Sequence, residues 1–202
     1  MRWILGLARK MDLKHLVGGC LQMLTNVLAY QGSLDEARAF GLEGRAATRA
    51  QNDRRFQGCA EAYLSVTEYL AGNFARAESY AQDAMATWEP VPLAHPFAVA
   101  LLARTLVAQG RAAEALSHAR EAYAQLEKMG GVDDGEATIR LALAECLLAT
   151  GDREAAATAV ASATQWLQAR ADKIDDPAYR ESFLTRIPEH RRIQDLAREF
   201  GV

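Results

Sequence analysis

The sequence predicts an all-α solenoid: a superhelix of four helical hairpins, closed at its C-terminal end by a further pair of helices. Three observations predict it. Gly32, Gly72, Gly110 and Gly151 recur at intervals of 38 to 41 residues, each between two apolar-periodic segments. A leucine stands eight residues before each glycine (Leu24, Leu64, Leu102, Leu143), followed by a small residue (Thr25, Ser65, Ala103, Ala144). Small or short side chains return after each glycine, as Ala37, Gly41 and Gly44, then Ala77, Ala81 and Ala84, then Ala115, Ala119 and Ala122, and last Ala156, Val160 and Ala163. Such a repeat is the mark of a solenoid, in which no hairpin buries its apolar stripe alone and stacking supplies the core.

Residues 1–12 come first. Trp3 to Lys10 reads as a second helix without its partner, either the end of a preceding repeat or an N-terminal cap, and the expectation is a piece of a longer protein. The four repeats then span about 13–51, 53–88, 95–129 and 134–170. Their first helices lie near 13–31, 53–71, 95–109 and 134–150, their second helices near 33–51, 73–88, 111–129 and 152–170. Each turn glycine takes the left-handed conformation that ends a first helix. Ser33, Asn73 and Asp152 are suited to cap the next helix, whereas Arg111 is a poorer cap. Small residues three to four apart smooth one face of each second helix for close approach, and the leucines plug the space between hairpins.

Pro92 and Pro96 punctuate the second-to-third junction, and Gly130-Gly131 the third-to-fourth. Asp133-Asp134 and Asp175-Asp176 stand where carboxylates cap helices and complement the helix dipole. Asp176-Pro177 opens one more helix and Pro188 another, so 177–202 form a capping pair with a polar outer face.

These residues resemble the tetratricopeptide repeat family, from roughly Leu13 to Ala169. The family's hairpins carry a leucine and a small residue in the first helix, a turn glycine, and alanines in the second. The resemblance implies a right-handed α-α superhelix whose first helices line a concave binding face. The period here exceeds the family's ~34 residues, which places the extra length in longer helices and loops such as Glu89-Pro90-Val91-Pro92. HEAT-type repeats have a similar period, but the glycine and alanine register favours the tetratricopeptide reading. Tyr179 to Leu184 and Ile187 to His190 resemble the closing segment of bacterial multidomain signalling proteins, including serine/threonine kinases and large transcriptional activators.

Composition bounds the rest. No apolar run approaches the roughly 20 residues of a membrane span, and the opening octapeptide lacks a cleavage site. Cys20, Cys59 and Cys146 are odd in number and far apart, which suggests neither disulfide nor zinc site and fits a reducing cytoplasm. The formal net charge is -3, with basic residues in excess through Gly58 and acidic ones beyond it. Arg45, Arg49, Arg54 and Arg55 read as a solvated face rather than a nucleic-acid surface.

No catalytic constellation, cofactor motif or metal ligand set is expected. His15, His95, His118 and His190 are scattered without the i, i+4 spacing of a helical metal site. Nucleophile-elbow, phosphate-loop, Rossmann and kinase signatures are missing. The expected function is binding.

Projecting first-helix positions onto the concave face gives a groove containing Asn26, Tyr30, Val66, Tyr69, Phe97, Arg104, Glu145 and Leu148. It is apolar and aromatic with few polar anchors, suited to a protein or peptide ligand. Arg104 among apolar neighbours calls for an acid, and Glu145, one repeat later, is the expected partner. Of Gln22, Asn26, Tyr63, Phe97 and Leu101, at the positions of the family's carboxylate clamp, only Asn26 fits, so clamping of a chaperone C-terminus is not expected. The leading expectation is a protein- or peptide-binding module in a signalling protein; the alternative is a small-molecule or short-peptide sensor controlling a neighbouring output domain. An enclosed pocket around Tyr69, Phe97 and Arg104 would favour the sensor, an open groove the protein partner. Self-association is left open.

Overall fold

A computed structural model describes residues 1–132 and 134–202. Helices make up 81% of the chain, with no strand among the described residues. In order they are α1 (Arg2–Lys10), α2 (Lys14–Tyr30), α3 (Leu34–Ala50), α4 (Arg54–Leu70), α5 (Phe74–Trp88), α6 (His95–Ala108), α7 (Ala112–Met129), α8 (Glu136–Ala149), α9 (Arg153–Ala171), α10 (Pro177–Arg186) and α11 (Pro188–Phe200). The pairs α2/α3, α4/α5, α6/α7 and α8/α9 are antiparallel hairpins stacked into an α-α superhelix.

The turns explain the regular stacking. Gly32, Gly72, Gly110 and Gly151 all have φ between 76° and 86°, where a side chain would be strained. The next residue's N–H then reaches back to the helix: Ser33 to Leu28 O, Asn73 to Glu68 O, Arg111 to Leu106 O and Asp152 to Leu147 O, at 2.8 to 3.0 Å. This is the Schellman closure, which satisfies carbonyls left over at a helix end. Asp12 and Asn52, both at φ 52°, make the same closure before α2 and α4, through Leu13 N to Ala8 O and Asp53 N to Thr48 O. Asp and Asn are the non-glycine residues that accept this conformation most readily.

The capping expectation holds only in part. Asp152 Oδ1 accepts from Ala155 N at 3.1 Å, and Asp176 Oδ1 from Ala178 N and Tyr179 N at 2.8 and 3.1 Å. Ser33 and Asn73 make no side-chain cap. Asn73 turns away because its Nδ2 donates to the buried Glu68 carboxylate at 2.8 Å. Asp134 does not cap α8 either, since Gly135 occupies that position; Asp133 lies outside the described residues.

Packing follows the small-residue register. Ala37, Ala77, Ala115 and Ala156 are wholly buried, as are Ala81, Ala84, Ala119 and Ala122. A Cβ on Gly41 would come within 2.6 Å of Leu64 Cδ2, and one on Gly58 within 2.2 Å of Trp88 Nε1, so these side chains occupy space that only glycine leaves free. Leu24, Leu64 and Leu102 are buried plugs. Leu143 is a correction: it is only half-buried, at a cleft on the outer side of α8 beside Tyr123 and Ala159.

Ion pairs tie hairpins together where the sequence suggested a solvated face. Arg38 Nε donates to Glu68 at 2.6 Å, and Arg45 Nε to Glu61 at 3.0 Å, from α3 to α4. Arg45 also reaches Asp83 on α5 at 2.5 Å. Arg49, Arg54 and Arg55 remain exposed as expected. At the far end, Ile193, Leu196 and Ala197 of α11 cover Leu141, Val160 and Leu167 of the last hairpin. No described helix is long and apolar enough to cross a membrane.

Candidate functional site: a groove divided by the C-terminal helices

The first helices α2, α4, α6 and α8 line the concave side in succession. The C-terminal pair does more than cover the last hairpin. Its turn, Ile187-Pro188-Glu189-His190, enters the groove, because Ile187 and Asp176 hold extended backbone that swings α11 back across α8 and α9. Glu189 then meets α6. The groove is thereby divided into two cavities of about 240 and 260 Å³, with Glu189 in the wall of both.

The first cavity lies between α4, α6, α8 and α11 and is lined by Val66, Tyr69, Arg104, Glu145, Glu189 and Arg192, among others. Arg104 is its centre. Its side chain is 9% exposed, lies over the Tyr69 ring at 5.0 Å, and donates from Nε to Glu145 Oε2 and from Nη1 to Glu189 Oε1, each at 3.0 Å. Arg192 donates to the other Glu145 oxygen at 3.3 Å. Burial alone would make the Arg104 guanidinium easier to deprotonate, but the charges of Glu145 and Glu189 more than reverse that and raise its pKa. Arg104 is therefore a fixed cation clamped by two acids and an aromatic ring. The expected Glu145 pair is present, and Glu189 is a second acid on the same guanidinium.

The second cavity lies between α2, α4, α6, α8, α9 and the α10–α11 turn. Tyr30, Tyr63, Phe97, Trp166 and Phe183 give it aromatic walls, with Asn26, Asp134, Glu189 and His190 among its polar groups. The Tyr63 hydroxyl donates to Asp134 Oδ2 at 2.6 Å. Burial, and then the Asp134 charge, push the Tyr63 phenol well above its ordinary pKa; burial and Glu189 do the same to Tyr30. Glu136 is spoken for, with Arg140 and Arg170 on its two oxygens at 2.7 and 2.9 Å. His190 Nδ1 lies 2.8 Å from Phe183 O, and burial lowers the imidazole pKa. The ring is thus neutral near pH 7 with its proton on Nδ1, which leaves Nε2 as an acceptor.

Three buried polar atoms on this second cavity have no hydrogen-bond partner: Asn26 Oδ1, Trp166 Nε1 and Glu189 Oε2. Buried polar atoms in native proteins are nearly always satisfied. Cys59 and Cys146, by contrast, are held as thiols, pushed up to about 12 chiefly by burial, so neither supplies a thiolate. Among the described residues no group of His, Cys, Asp and Glu is arranged to hold a metal.

The eight predicted groove residues separate. Val66, Tyr69, Arg104 and Glu145 line the first cavity; Asn26, Tyr30 and Phe97 line the second. Val66 and Phe97 are buried wall rather than open surface. Leu148 lines neither and packs against the cluster that α11 covers, because that helix pair occupies the end of the groove where Leu148 was expected to be open. Sequence reasoning missed Glu189, His190, Trp166 and Asp134. Trp166 sits on a second helix, outside the first-helix rule, and the two signals at the turn, the Pro188 helix start and the likeness of Ile187 to His190 to a closing segment, did not place it in the groove.

A tetratricopeptide repeat family model matches residues 106–179, from the end of α6 into α10. Together with the hairpin stack, that match supports a tetratricopeptide-like repeat domain. No curated protein matches the chain.

Proposed function

We propose that this chain is a non-catalytic protein- or peptide-binding module whose concave face holds a short segment of its ligand, and that it forms the regulatory or scaffolding region of a larger bacterial signalling protein. Repeats of this family generally mediate protein–protein interaction. The observation that carries the reading is the set of buried, unpartnered polar atoms inside an aromatic groove. A groove meant only as core would be apolar or internally satisfied, whereas a binding groove leaves groups for its ligand. The signalling context rests on the resemblance of the Tyr179–Leu184 and Ile187–His190 segments to the closing region of such proteins.

The division of the groove supports the sensor as a second reading. Glu189 and His190 reduce it to compartments suited to a small molecule or one or two side chains. A ligand that favours one position of the α10–α11 turn would then bias a neighbouring domain.

Selection of a displayed random-peptide library on the full chain tests the binding surface. Selected peptides should lose at least about tenfold in affinity on Tyr30→Ala or Tyr69→Ala, a change of roughly 1.4 kcal/mol, while unfolding of each variant is followed separately. Peptides that bind folded variants and the native chain equally would overturn the concave-face reading.

A further inference from the structure

The second cavity offers acceptors that nothing answers. Glu189 is only 4% exposed; its Oε1 takes Arg104 at 3.0 Å, and its Oε2 is buried without a partner. The Tyr30 hydroxyl stands beside that carboxylate, and burial first, then the Glu189 charge and a hydrogen bond to it, raise the phenol's pKa, although the two groups do not meet at full hydrogen-bond geometry. The Asp134 carboxylate receives the Tyr63 hydroxyl, and no Lys or Arg among the described residues pairs with it. Asn26 Oδ1 and the free Nε2 of neutral His190 add two more acceptors. Against these stand two donors, Trp166 Nε1 and the Tyr30 hydroxyl beside Glu189, fewer than the acceptors present.

The nearby arginines do not fill this need. Arg140 and Arg170 are bound to Glu136 and lie against Trp166, and Arg104 is held by Glu145 and Glu189. The unmet demand is for several N–H donors and one acceptor, delivered between aromatic faces. An ammonium group brings three donors and a positive charge, and aromatic rings attract such a cation most when it is desolvated. A volume of about 260 Å³ lies below the roughly 300–1,000 Å³ typical of drug-sized ligands. It suits a short alkylammonium chain.

Resting on the concave-face reading above, we infer that the cavity between Tyr30, Tyr63, Asp134, Trp166 and Glu189 is a binding site for a primary ammonium group with an oxygen acceptor beside it. The ammonium meets Glu189 Oε2 and Asp134, and the oxygen takes the Trp166 indole N–H. Two sources present that chemistry: a free amino alcohol, or the amine of a peptide with its neighbouring carbonyl.

The test is a titration of the full ¹⁵N-labelled chain, reading the Trp166 indole resonance, which Trp166→Phe assigns. Ethanolamine represents the free amino alcohol and glycinamide the peptide amine with its neighbouring carbonyl; sodium acetate is the anion control. A fragment of a few heavy atoms binds no tighter than about tens of micromolar, so the titration runs to about 10 mM. At least one amine should move the Trp166 resonance saturably while acetate does not, and the tighter arm names the source. Asp134→Asn, which keeps an oxygen for the Tyr63 hydroxyl and lies outside the Arg104 network, should weaken that amine at least about tenfold, with unfolding of the variant followed separately. Glu189→Gln should do likewise where it folds. No saturable shift with any amine, or equal binding to Asp134→Asn, overturns the ammonium site. If library-selected peptides still bind the concave face in that event, the broader reading survives; if no ligand of either kind binds, both fail.

Discussion

Arg104 and Glu189 stand 85 residues apart in sequence and are joined by a buried 3.0 Å ion pair, Nη1 to Oε1, that fastens the C-terminal helix into the centre of the superhelix. That contact turns a terminal helix pair into part of the concave face and puts a second acid on the groove's buried cation.

Removing one partner of that pair should be costly. Glu189→Met leaves Arg104 with Glu145 alone, so the loss should fall near the low end of the roughly 3–5 kcal/mol seen when a buried pair is broken. Urea unfolding measures it. Because the two positions touch, the Arg104→Met/Glu189→Met double variant should lose less than the sum of the single changes. A Glu189→Met loss below about 0.5 kcal/mol, the range of surface sites, would show that the pair does not fasten the turn.

The leucine plugs should no longer behave alike. Leu102 is buried and Leu143 only half-buried, so Leu102→Ala should cost about 2–5 kcal/mol and Leu143→Ala clearly less. Equal losses would contradict the packing described here.

Gly58 has no room for a methyl group. Its added Cβ would lie 2.2 Å from Trp88 Nε1, and that nitrogen donates to Arg55 O at 3.1 Å. Gly58→Ala must push the indole off this carbonyl and should cost about 1–3 kcal/mol as overpacking does, with a change in Trp88 fluorescence. Unchanged stability and emission would mean that α4 and α5 are set further apart.

His190 should make the fold sensitive to mild acid. Burial lowers its folded-state pKa, against the pull of the Phe183 carbonyl and the Glu189 charge in the other direction. The unfolded imidazole binds a proton near pH 6.5; the folded one resists. Its contribution is therefore complete above pH 6.5 and is lost as pH falls from there through the lower folded value. His190→Asn should flatten the fall in unfolding midpoint below about pH 6.5 relative to the native chain. Parallel profiles would remove His190 from the account.

Deleting everything after Asp176 should expose Leu141, Val160 and Leu167, which α11 covers, and open both cavities. The shortened chain should aggregate or lose cooperative unfolding. A soluble truncation with native stability would show that the C-terminal pair contributes nothing to the stack.

The hairpin ladder was legible in the sequence because its determinants are local. A glycine at Gly32 or Gly151 ends a helix through its own φ, and alanines such as Ala77 and Ala115 fall on one face through the helical period, wherever the rest of the chain lies. Even the Arg104–Glu145 pair is a repeat-to-neighbour relation, readable by counting. Asn73 marks where local reading stopped: a good cap in isolation, it was drawn away by a carboxylate that tertiary packing buries beside Arg38. The fate of the groove was decided at still longer range. Where α11 lies depends on extended backbone at Asp176 and Ile187 and on apolar cover for the last hairpin, and neither has a period to count. That placement alone brings Glu189 to Arg104, leaves its second oxygen unanswered beside Tyr30, and sets Trp166 and Asp134, from a second helix and a loop, around the same cavity.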